Sequence, residues 1–216
     1  MKQFAVIGCG RFGSSIAKTL YHLGYDVLAI DKDADVIQSL DEFVTHAVQV
    51  DATDGVSMRP LGIRNFDVVI VAVGSNIQSS ILIALLAKEL GVKHVVAKAQ
   101  NELHANVLYK IGVDRVIFAE RDMGVRVAHN LVSSNILEYI ELSPDYSIVE
   151  IAVLKEWEGR SLKDLDMREK YGINIMAIKH GSTINIAPDA FDVITHDDIL
   201  VAIAHHDDLW KIEKIS

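Results

Sequence analysis

A glycine-rich turn between an apolar strand and an amphipathic helix constrains this chain more than any other feature. Residues 4–7 are apolar, G-C-G-R-F-G occupies residues 8–13, and apolar residues then recur at helical spacing over 16–23. In such a unit the first glycine permits a tight turn, the second lets a pyrophosphate approach the backbone, and the third lets the helix pack on the strand. The N–H groups that open the helix favour an anion over the turn. The motif predicts a bound phosphate-bearing nucleotide.

Two residues near this turn narrow the class of ligand. Asp31 ends the next apolar run, where a ribose-binding acid is expected. Such a carboxylate accepts hydrogen bonds from ribose hydroxyls and repels a 2′-phosphate, which favours NAD or a plain adenosine ligand over NADP. Arg11 places a cation in the first turn of the helix, which opposes the macrodipole by roughly 0.3 kcal/mol or more. A contact with bound phosphate explains this position, and the alternative is a ligand-free turn with a solvated arginine.

Composition excludes several classes of protein. The chain has 216 residues and a net charge of −9, so we expect no nucleic-acid partner, which would normally require a basic surface. One cysteine, Cys9, excludes an internal disulfide, and its place between two glycines indicates a small filler residue. We expect no signal peptide, and apolar runs such as 81–87 are too short to span a bilayer. These features predict a soluble cytoplasmic protein.

The first 120 residues alternate between strand and helix patterns. Runs rich in valine and isoleucine, typical of parallel strands buried on both faces, lie at 4–7, 27–30, 48–50, 68–73, 95–97 and 116–118. Helical patterns separate them, although Pro60 and Gly62 predict a short or irregular helix in the third connection. The fold class is therefore α/β, with a Rossmann-like, doubly wound parallel sheet of six strands.

Ligands of such sheets bind beyond the carboxyl ends of the strands. Asp51 is placed to reach an adenine or a ribose, or else to form a turn, and Lys98 points toward the phosphates or snorkels to the surface. Glu120 could hold a metal or cap the next helix, and the residues alone favour the cap. The candidate ligand-binding residues are Gly8, Gly10, Arg11, Phe12, Gly13, Asp31, Lys32, Asp51, Ala52, Thr53, Ala72, Val73, Gly74, Lys98 and Glu120.

Two helical patterns are more apolar than one sheet can cover. Residues 77–90 are apolar nearly all round, and the pattern at about 123–139 also has an excess of apolar residues. A helix with this composition is not surrounded by water. A thick core is one explanation, and the pattern favours an interface between subunits.

The pattern changes around Ser143-Pro144-Asp145. Strands are predicted at 148–153, 173–178, 183–186 and 199–203, with helices at 162–171, closed by Gly172, and at 207–215. This is a small α+β C-terminal lobe without a glycine motif of its own. We therefore predict a nucleotide-binding domain at 1–132 and a regulatory domain at 133–216, joined by a helix through Asn130.

An NAD-dependent oxidoreductase with a small substrate domain is the alternative function. Such an enzyme needs a proton donor or acceptor beside the nicotinamide. The sequence contains neither Tyr-x-x-x-Lys nor G-x-S-x-G, and its nine histidines are scattered. No residue can be assigned to the chemistry, so the sequence favours a protein that is not an enzyme.

Several motifs resemble the RCK/KTN-domain regulatory subunits of bacterial potassium uptake systems, of the KtrA/KtrC type and related to TrkA. TrkA carries the unit twice, and this chain carries it once. The resemblance covers nearly the whole length. Besides Asp31, it is carried by G-C-G-R-F-G-S-S, G-I-R-N-F-D-V-V-I-V-A-V-G-S-N-I-Q-S-S, V-A-K-A-Q-N, F-A-E-R-D-M-G and Y-G-I-N-I-M-A-I-K-H.

The resemblance implies a cytosolic regulator that self-associates into dimers and an octameric ring. The ring lies under an integral-membrane potassium-translocating subunit of the KtrB/TrkH type, peripheral to the inner face of the membrane. ATP and ADP, and in some members NAD or NADH, compete for the first domain, and ATP favours the active ring. Arg11 then matches an arginine on the terminal phosphate, Asp31 the ribose acid, and Glu120 a ligand of a divalent cation, Mg or Ca. The positions that match a cyclic di-AMP site in the small lobe are Arg168, Asn174, Ile175 and Pro188.

Overall fold

The computed structural model describes residues 2–132, 135–143 and 145–213, and for residues 129, 130, 132, 210 and 213 only the backbone. The chain divides into two compact units, Met1–Glu120 and Arg121–Ser216, each of which has its own sheet. The domain boundary placed after residue 132 from the sequence stays a prediction.

The first unit is the doubly wound parallel sheet that the sequence predicts. Its strands follow the order β3-β2-β1-β4-β5-β6 and all pair in parallel. The order reverses between β1 and β4, so the carboxyl ends of these two strands form the switch point where such sheets bind ligands. The elements are β1 (Gln3–Ile7), α1 (Arg11–His22), β2 (Asp26–Asp31), α2 (Ala34–Gln38), β3 (His46–Gln49), α3 (Gly55–Met58), β4 (Val68–Val71), α4 (Ile77–Glu89), β5 (Val95–Lys98), α5 (Glu102–Ile111) and β6 (Arg115–Ile117). Helix α6 (Ala119–Val132) begins at the end of this unit and belongs mostly to the second.

Alternate residues of the strands supply a separate core on each face of this sheet. On one face Ile7, Ile30 and Val71 pack with residues of α4 and α5, and on the other Val6 and Ile70 pack toward α1 and α2. Both faces are therefore covered, which explains why the strands are apolar throughout rather than alternating.

The third connection is irregular, as the sequence predicts. Helix α3 has only four residues, and two 3-10 turns follow it, Arg59–Leu61 and Ile63–Asn65. They meet at Gly62, whose φ of +62° lies in the left-handed region that glycine adopts without strain.

The second unit contains an antiparallel sheet in the order β10-β9-β11-β8-β7. Its core surrounds Trp157, which is fully buried and donates its indole N–H to the Tyr171 hydroxyl at 2.9 Å. The elements are β7 (Ile136–Glu141), β8 (Tyr146–Ala152), α7 (Leu162–Leu165), α8 (Met167–Tyr171), β9 (Ile173–His180), β10 (Thr183–Asn185), β11 (Asp198–His205) and α9 (His206–Glu213).

Two sequence-based assignments in this unit are wrong. The helix expected over about 123–139 is present only as far as Val132, and residues 136–141 form strand β7 instead. This strand pairs with β8 so that Tyr139 lies opposite Val149. The helix expected over 162–171 is broken at Asp166, which has a φ of +48°, although Gly172 closes α8 in the left-handed conformation as predicted. Pro144 and the predicted end of the last helix at Ile215 lie outside the described residues.

Candidate functional site

The glycine turn after β1 has the conformation that the motif predicts. Gly8 has a φ of +88°, and its N–H donates to the Ile30 carbonyl at 2.9 Å. A methyl group on Gly13 would collide with the carbonyl oxygen of Gly8, so the third glycine is needed for the helix to lie against the turn. At Gly10 no described atom lies within 4 Å of where a Cβ would stand. The turn therefore presents open backbone and the first N–H groups of α1 to the same space, which suits a phosphate.

Asp31 is anchored to this turn by hydrogen bonds to both carboxylate oxygens. Its Oδ2 accepts the N–H of Cys9 at 2.6 Å, and its Oδ1 accepts the N–H of Asp33 at 3.0 Å. Each oxygen has a second lone pair, so the carboxylate can still accept from a ribose hydroxyl. The acid at the end of β2 thus fixes the glycine turn and remains able to bind a sugar.

Cys9 is a buried, unreactive side chain. Burial and the nearby charge of Asp31 raise the pKa of its thiol to about 12, and the thiol lies 3.6 Å from the Ile30 carbonyl oxygen. A thiol with such a pKa stays protonated at neutral pH, so Cys9 serves as filler in the core.

On the other side of the glycine turn, Lys98 and Glu120 form an ion pair. The Lys98 side chain is buried, and its Nζ donates to Glu120 Oε1 and lies 5.5 Å from the centroid of the Phe12 ring. A Cβ on Gly74 would stand 3.0 Å from the same Nζ, so the absence of a side chain there makes room for the ammonium. Lys98 is thus held at the carboxyl edge between the loops that follow β1, β4 and β6.

The charges around Glu120 favour its ionised form. The hydrogen bond from Lys98, then the charges of Lys98 and Arg11, hold the pKa of Glu120 below its usual value against the opposing effect of partial burial. Glu120 is the second residue of α6, where a carboxylate also suits the helix dipole. The structure therefore brings Arg11, Lys98 and Glu120 into one electrostatic cluster.

The sequence left two roles open for Asp51, binding a ligand or forming a turn, and in the structure it forms a turn. The hydroxyl and the N–H of Thr53 donate to its Oδ1 at 2.7 and 3.0 Å. These hydrogen bonds, with a smaller effect of the Lys32 charge, lower the pKa of Asp51. Oδ2 makes no hydrogen bond with the described residues, so it is available to a ligand. Among the other candidates Ala52 and Ala72 are buried, whereas Val73 lies beside Gly8.

Gln100 is a residue of this edge that the sequence-based candidates omit. Its side-chain amide donates to the carbonyl oxygen of Gly74, which ties the loop after β5 to the loop after β4. The sequence could have indicated Gln100, because it lies two residues beyond Lys98, where β5 ends at the ligand-binding edge.

The described residues do not form a complete metal site. No group of three or more histidine, cysteine, aspartate or glutamate side chains with metal-binding spacing occurs among the described residues. Glu120 supplies one carboxylate, which is already paired with Lys98. A divalent cation at Glu120 would therefore need further ligands from a nucleotide or from a second copy.

In the second unit the structure joins two of the four candidate residues. The Arg168 guanidinium of α8 donates to Asn174 Oδ1 of β9 at 2.9 Å. Ile175 alternates inward and packs against the core, whereas Pro188 lies in the loop after β10. The hairpin and the loop beyond it expose several apolar side chains: Met176, Ile184, Ile186, Phe191 and Val193.

The helices suspected of forming an interface do expose apolar side chains. On α4, Leu82 and Leu85 are about 40% exposed. Leu103 is 75% exposed on α5, a helix that the sequence did not single out. On α6, Met123, Val125 and Val127 are also exposed. Within the ranges that the structure describes, no helix is both long enough and apolar enough to cross a bilayer.

Two family models match the chain. Residues 4–119 match the TrkA-N domain, and residues 147–216 match the TrkA-C domain. The two matches fall on the parallel-sheet unit and on the antiparallel-sheet unit.

Solved structures share the fold at low sequence identity. The GsuK RCK domain aligns with a TM-score of 0.68 and 17% identity over 99% of this chain and 47% of that chain. The chain thus spans less than half the length of the GsuK chains. The TrkA-N domain of the inner membrane protein ybaL from Escherichia coli aligns with a TM-score of 0.54 and 18% identity over 60% of this chain and 96% of that one.

Curated relatives match along nearly the whole length. Ktr system potassium uptake protein C of Bacillus subtilis is 50% identical over 99% of this chain and 96% of its own length. Ktr system potassium uptake protein A of the same bacterium is 47% identical over 98% and 96%, and the protein A of Vibrio alginolyticus is 36% identical over 96% and 94%. Together with both domain matches, these identities show that the chain belongs to the KtrA/KtrC family of potassium uptake proteins, which contain a TrkA-N and a TrkA-C domain.

Proposed function

We propose that this chain is the nucleotide-sensing regulatory subunit of a potassium uptake system. It would act from the cytoplasm, at the inner face of the cell membrane, on an integral-membrane potassium-translocating subunit of the KtrB/TrkH type. The proposal rests on a glycine turn whose open backbone suits a phosphate, in a chain that is 50% identical to a potassium uptake protein over 99% of its length.

The ligand of the first unit is an adenine nucleotide. Gly10 and the start of α1 receive the phosphates, Asp31 accepts from the ribose, and Asp51 lies two strands from the switch point, within the same edge. The fold supports ATP or ADP and, as a third ligand, NAD or NADH, since GsuK structures that share it hold NAD and ADP. The Asp31 carboxylate, which would repel a 2′-phosphate, disfavours NADP.

Switching follows from a difference in nucleotide affinity between two conformations. A ligand shifts a conformational equilibrium only by its differential affinity for the two states. ATP and ADP differ by one phosphate, so the groups that contact the terminal phosphate must supply that difference. Arg11, in the first turn of α1 and close enough to lower the pKa of Glu120, is the group we assign to it.

Assembly with further copies of the chain accounts for the exposed apolar side chains. The outer faces of α4 and α5 carry Leu82, Leu85 and Leu103, and apolar patches of this kind mark interaction surfaces. We propose that they join copies into dimers and an octameric ring. In that ring Glu120 from paired copies, beside the nucleotide, would hold a divalent cation, Mg or Ca, for which carboxylate oxygens are suitable ligands.

The small lobe is proposed to hold an inhibitory cyclic di-AMP between two copies. Arg168 and Asn174, 2.9 Å apart, offer a cation for phosphate and an amide for a base. Pro188 and the part of Ile175 that the core leaves uncovered would supply apolar contacts, and the exposed Ile186 and Phe191 would be covered by a second lobe.

A transport assay tests the proposal. The chain is added to liposomes that contain the potassium-translocating subunit of the same bacterium, and rubidium uptake is measured with ATP, with ADP and without nucleotide. We expect the chain to raise uptake with ATP and to suppress it with ADP. Uptake that is the same with and without the chain would contradict the proposal.

The same preparation tests the alternative, an NAD-dependent oxidoreductase. We propose that the chain is not an enzyme, because Lys98 and Glu120, the titratable pair beside the glycine turn at the carboxyl edge, already bind each other. Tight, preferential NADH binding together with turnover of a hydroxy or keto substrate would favour the oxidoreductase instead.

A further inference from the structure

A cavity lies on the first unit, away from the glycine turn. Its volume is about 470 Å³, and its walls come from the irregular connection after α3 and from the last turn of α4. Asn65 precedes β4, and Leu90 follows the end of α4, so this part of the cavity lies near the amino edge of the sheet. The nucleotide residues occupy the opposite, carboxyl edge. We call this cavity the Arg59–Arg64 pocket after the two arginines that line it.

The charged side chains that line the Arg59–Arg64 pocket are unpaired. Arg59 and Arg64 on one wall and Glu89 on the other make no hydrogen bond or ion pair through their side chains with any residue that the structure describes. They face one cavity, yet no nitrogen of either arginine lies within 4.0 Å of a carboxylate oxygen of Glu89. Lys88, next along α4, contrasts with them because it pairs with Asp114 at 3.1 Å. All three side chains are solvent-exposed, so the Arg59–Arg64 pocket is an open surface groove that keeps opposite charges apart, with space between them.

The backbone at both arginines is held in place by buried neighbours. Arg59 follows Met58, which is fully buried, and Arg64 follows Ile63, which is 1% exposed. Gly62 turns the chain between them, and its N–H donates to the Arg59 carbonyl at 3.2 Å. Because the backbone at both positions is fixed, binding would order only the side chains, which lowers its entropic cost.

The opposite wall attracts positive charge. Helix α4 ends at Glu89, so the negative end of the helix dipole adds to that carboxylate. The carbonyl groups of Leu86, Ala87 and Lys88 already accept the N–H groups of residues 90–92, so the Glu89 carboxylate is the main attraction for a cation. Leu86 and Leu90 make the surface between the two charged ends apolar. The floor is set by Gly55, where a Cβ would stand 3.2 Å from Leu86 Cδ2, so a side chain there would narrow the cavity.

We propose that the Arg59–Arg64 pocket binds a small molecule that carries a phosphate or carboxylate group at one end and an amino group at the other. The planar guanidinium groups of Arg59 and Arg64 pair with the anionic end, which matches their forked geometry. Glu89 and the carboxyl end of α4 bind the ammonium end. This site is separate from the nucleotide site and does not depend on the function proposed for that site.

Calorimetric titration of the full chain with three probes tests the proposal. The probes are O-phosphoethanolamine, 4-aminobutyrate and inorganic phosphate, which has the anionic end alone. We expect at least one of the two amino-bearing probes to bind more tightly than phosphate, and the better of the two identifies the anionic group. Arg59→Gln with Arg64→Gln should weaken that probe by about tenfold or more, since two charge-assisted hydrogen-bonding groups are lost.

Glu89→Gln should change the affinities of the two kinds of probe in opposite directions, which misfolding would not do. It should weaken the amino-bearing probe and strengthen inorganic phosphate, each by a few-fold, because the same carboxylate attracts one and repels the other. Arg115→Gln, at an exposed arginine on β6, is the matched control and should leave all affinities unchanged. Equal affinities in wild type and in the double arginine variant would overturn the proposal. So would the absence of binding by both amino-bearing probes up to about 10 mM, which corresponds to a negligible affinity.

Discussion

The carboxylate of Asp31 accepts the backbone N–H of Cys9 at 2.6 Å, so the end of β2 holds the glycine turn that follows β1. The acid expected to bind ribose is therefore also a structural support of the phosphate-binding backbone. In the proposed site the sugar and phosphate parts are therefore not independent, because one carboxylate would bind the sugar and also holds the turn that would receive the phosphates.

Asp31→Ala should weaken ATP, ADP and NADH together, by about tenfold or more, because each loses the ribose acceptor and the support of the turn. It should also lower the free energy of unfolding by about 1–3 kcal/mol, since the Cys9 N–H loses its acceptor. Calorimetry and urea denaturation measure the two effects. Asp33→Ala is the control, since this exposed acid caps α2 through the Asp35 N–H at 3.0 Å. Selective loss of a single nucleotide in Asp31→Ala would refute the ribose role.

The glycines of the turn predict two different defects. Gly13→Ala should destabilise the first unit by about 1–3 kcal/mol, because its methyl group meets the Gly8 carbonyl in a packed region. Gly10→Ala places its methyl group in open space at a φ of −63°, so we expect stability to change by less than about 0.5 kcal/mol while nucleotide affinity falls. Thermal unfolding without ligand and calorimetry with ATP separate the two. Unchanged ATP affinity in Gly10→Ala would show that phosphates do not lie over this residue.

Lys98→Met should raise the pKa of Glu120 toward its ordinary value, since the hydrogen bond from Lys98 is the largest cause that lowers it. A carboxyl NMR titration of the ligand-free chain measures the change. Lys88→Met is the matched control, because it removes a lysine that pairs with Asp114 instead. It should leave Glu120 unaffected and raise the pKa of Asp114, which Lys88 helps to lower after the Val95 N–H. A Glu120 pKa that is equal in wild type and Lys98→Met would contradict the observed pairing.

Acid should weaken the second unit through Asp198. Burial alone would raise the pKa of this nearly buried carboxyl, but the Thr195 N–H at 2.7 Å and the His180 ring at 2.8 Å outweigh it and lower the pKa. Because the folded pKa lies below the unfolded value of about 3.9, the stabilisation is complete above about pH 5 and is lost as the pH falls through the folded pKa.

Urea midpoints measured across this acid range check the direction. Asp198→Asn should flatten the acid loss of stability and lower stability at neutral pH. Asp197→Asn is the control, because this exposed neighbour makes no side-chain hydrogen bond with the residues that the structure describes. If wild type and Asp198→Asn lost stability in parallel below about pH 5, another carboxyl would be responsible.

The sequence predicts the first unit well because its signals are local. Apolar runs, the glycine spacing and the breakers Pro60 and Gly62 each act within a few residues, and together they predict a doubly wound parallel sheet of six strands. The residue pairs that complete the site were not predictable. Lys98 and Glu120 are 22 positions apart and meet only because β5 pairs with β6.

The error at β7 has the same physical origin. Residues 136–140 are mostly apolar and follow a helix without an intervening glycine or proline, so their pattern continues the helical one. They form a strand because β8 supplies its hydrogen-bond partners, with Ile136 opposite Ile151 across an irregular register. Tertiary pairing of this kind overrides local propensity. The Arg59–Arg64 pocket was also missed, since its arginines and Glu89 are brought together only by the packing of α3 against α4.

The central claim is that Arg11 distinguishes ATP from ADP, and calorimetry of wild type and Arg11→Ala with both nucleotides tests it most directly. We expect the ratio of ATP to ADP affinity to approach one in Arg11→Ala, while ADP, which lacks the terminal phosphate, keeps most of its affinity through Asp31 and Gly10. Arg115→Gln should retain the wild-type ratio. An Arg11→Ala chain that still prefers ATP over ADP as strongly as wild type would contradict the account.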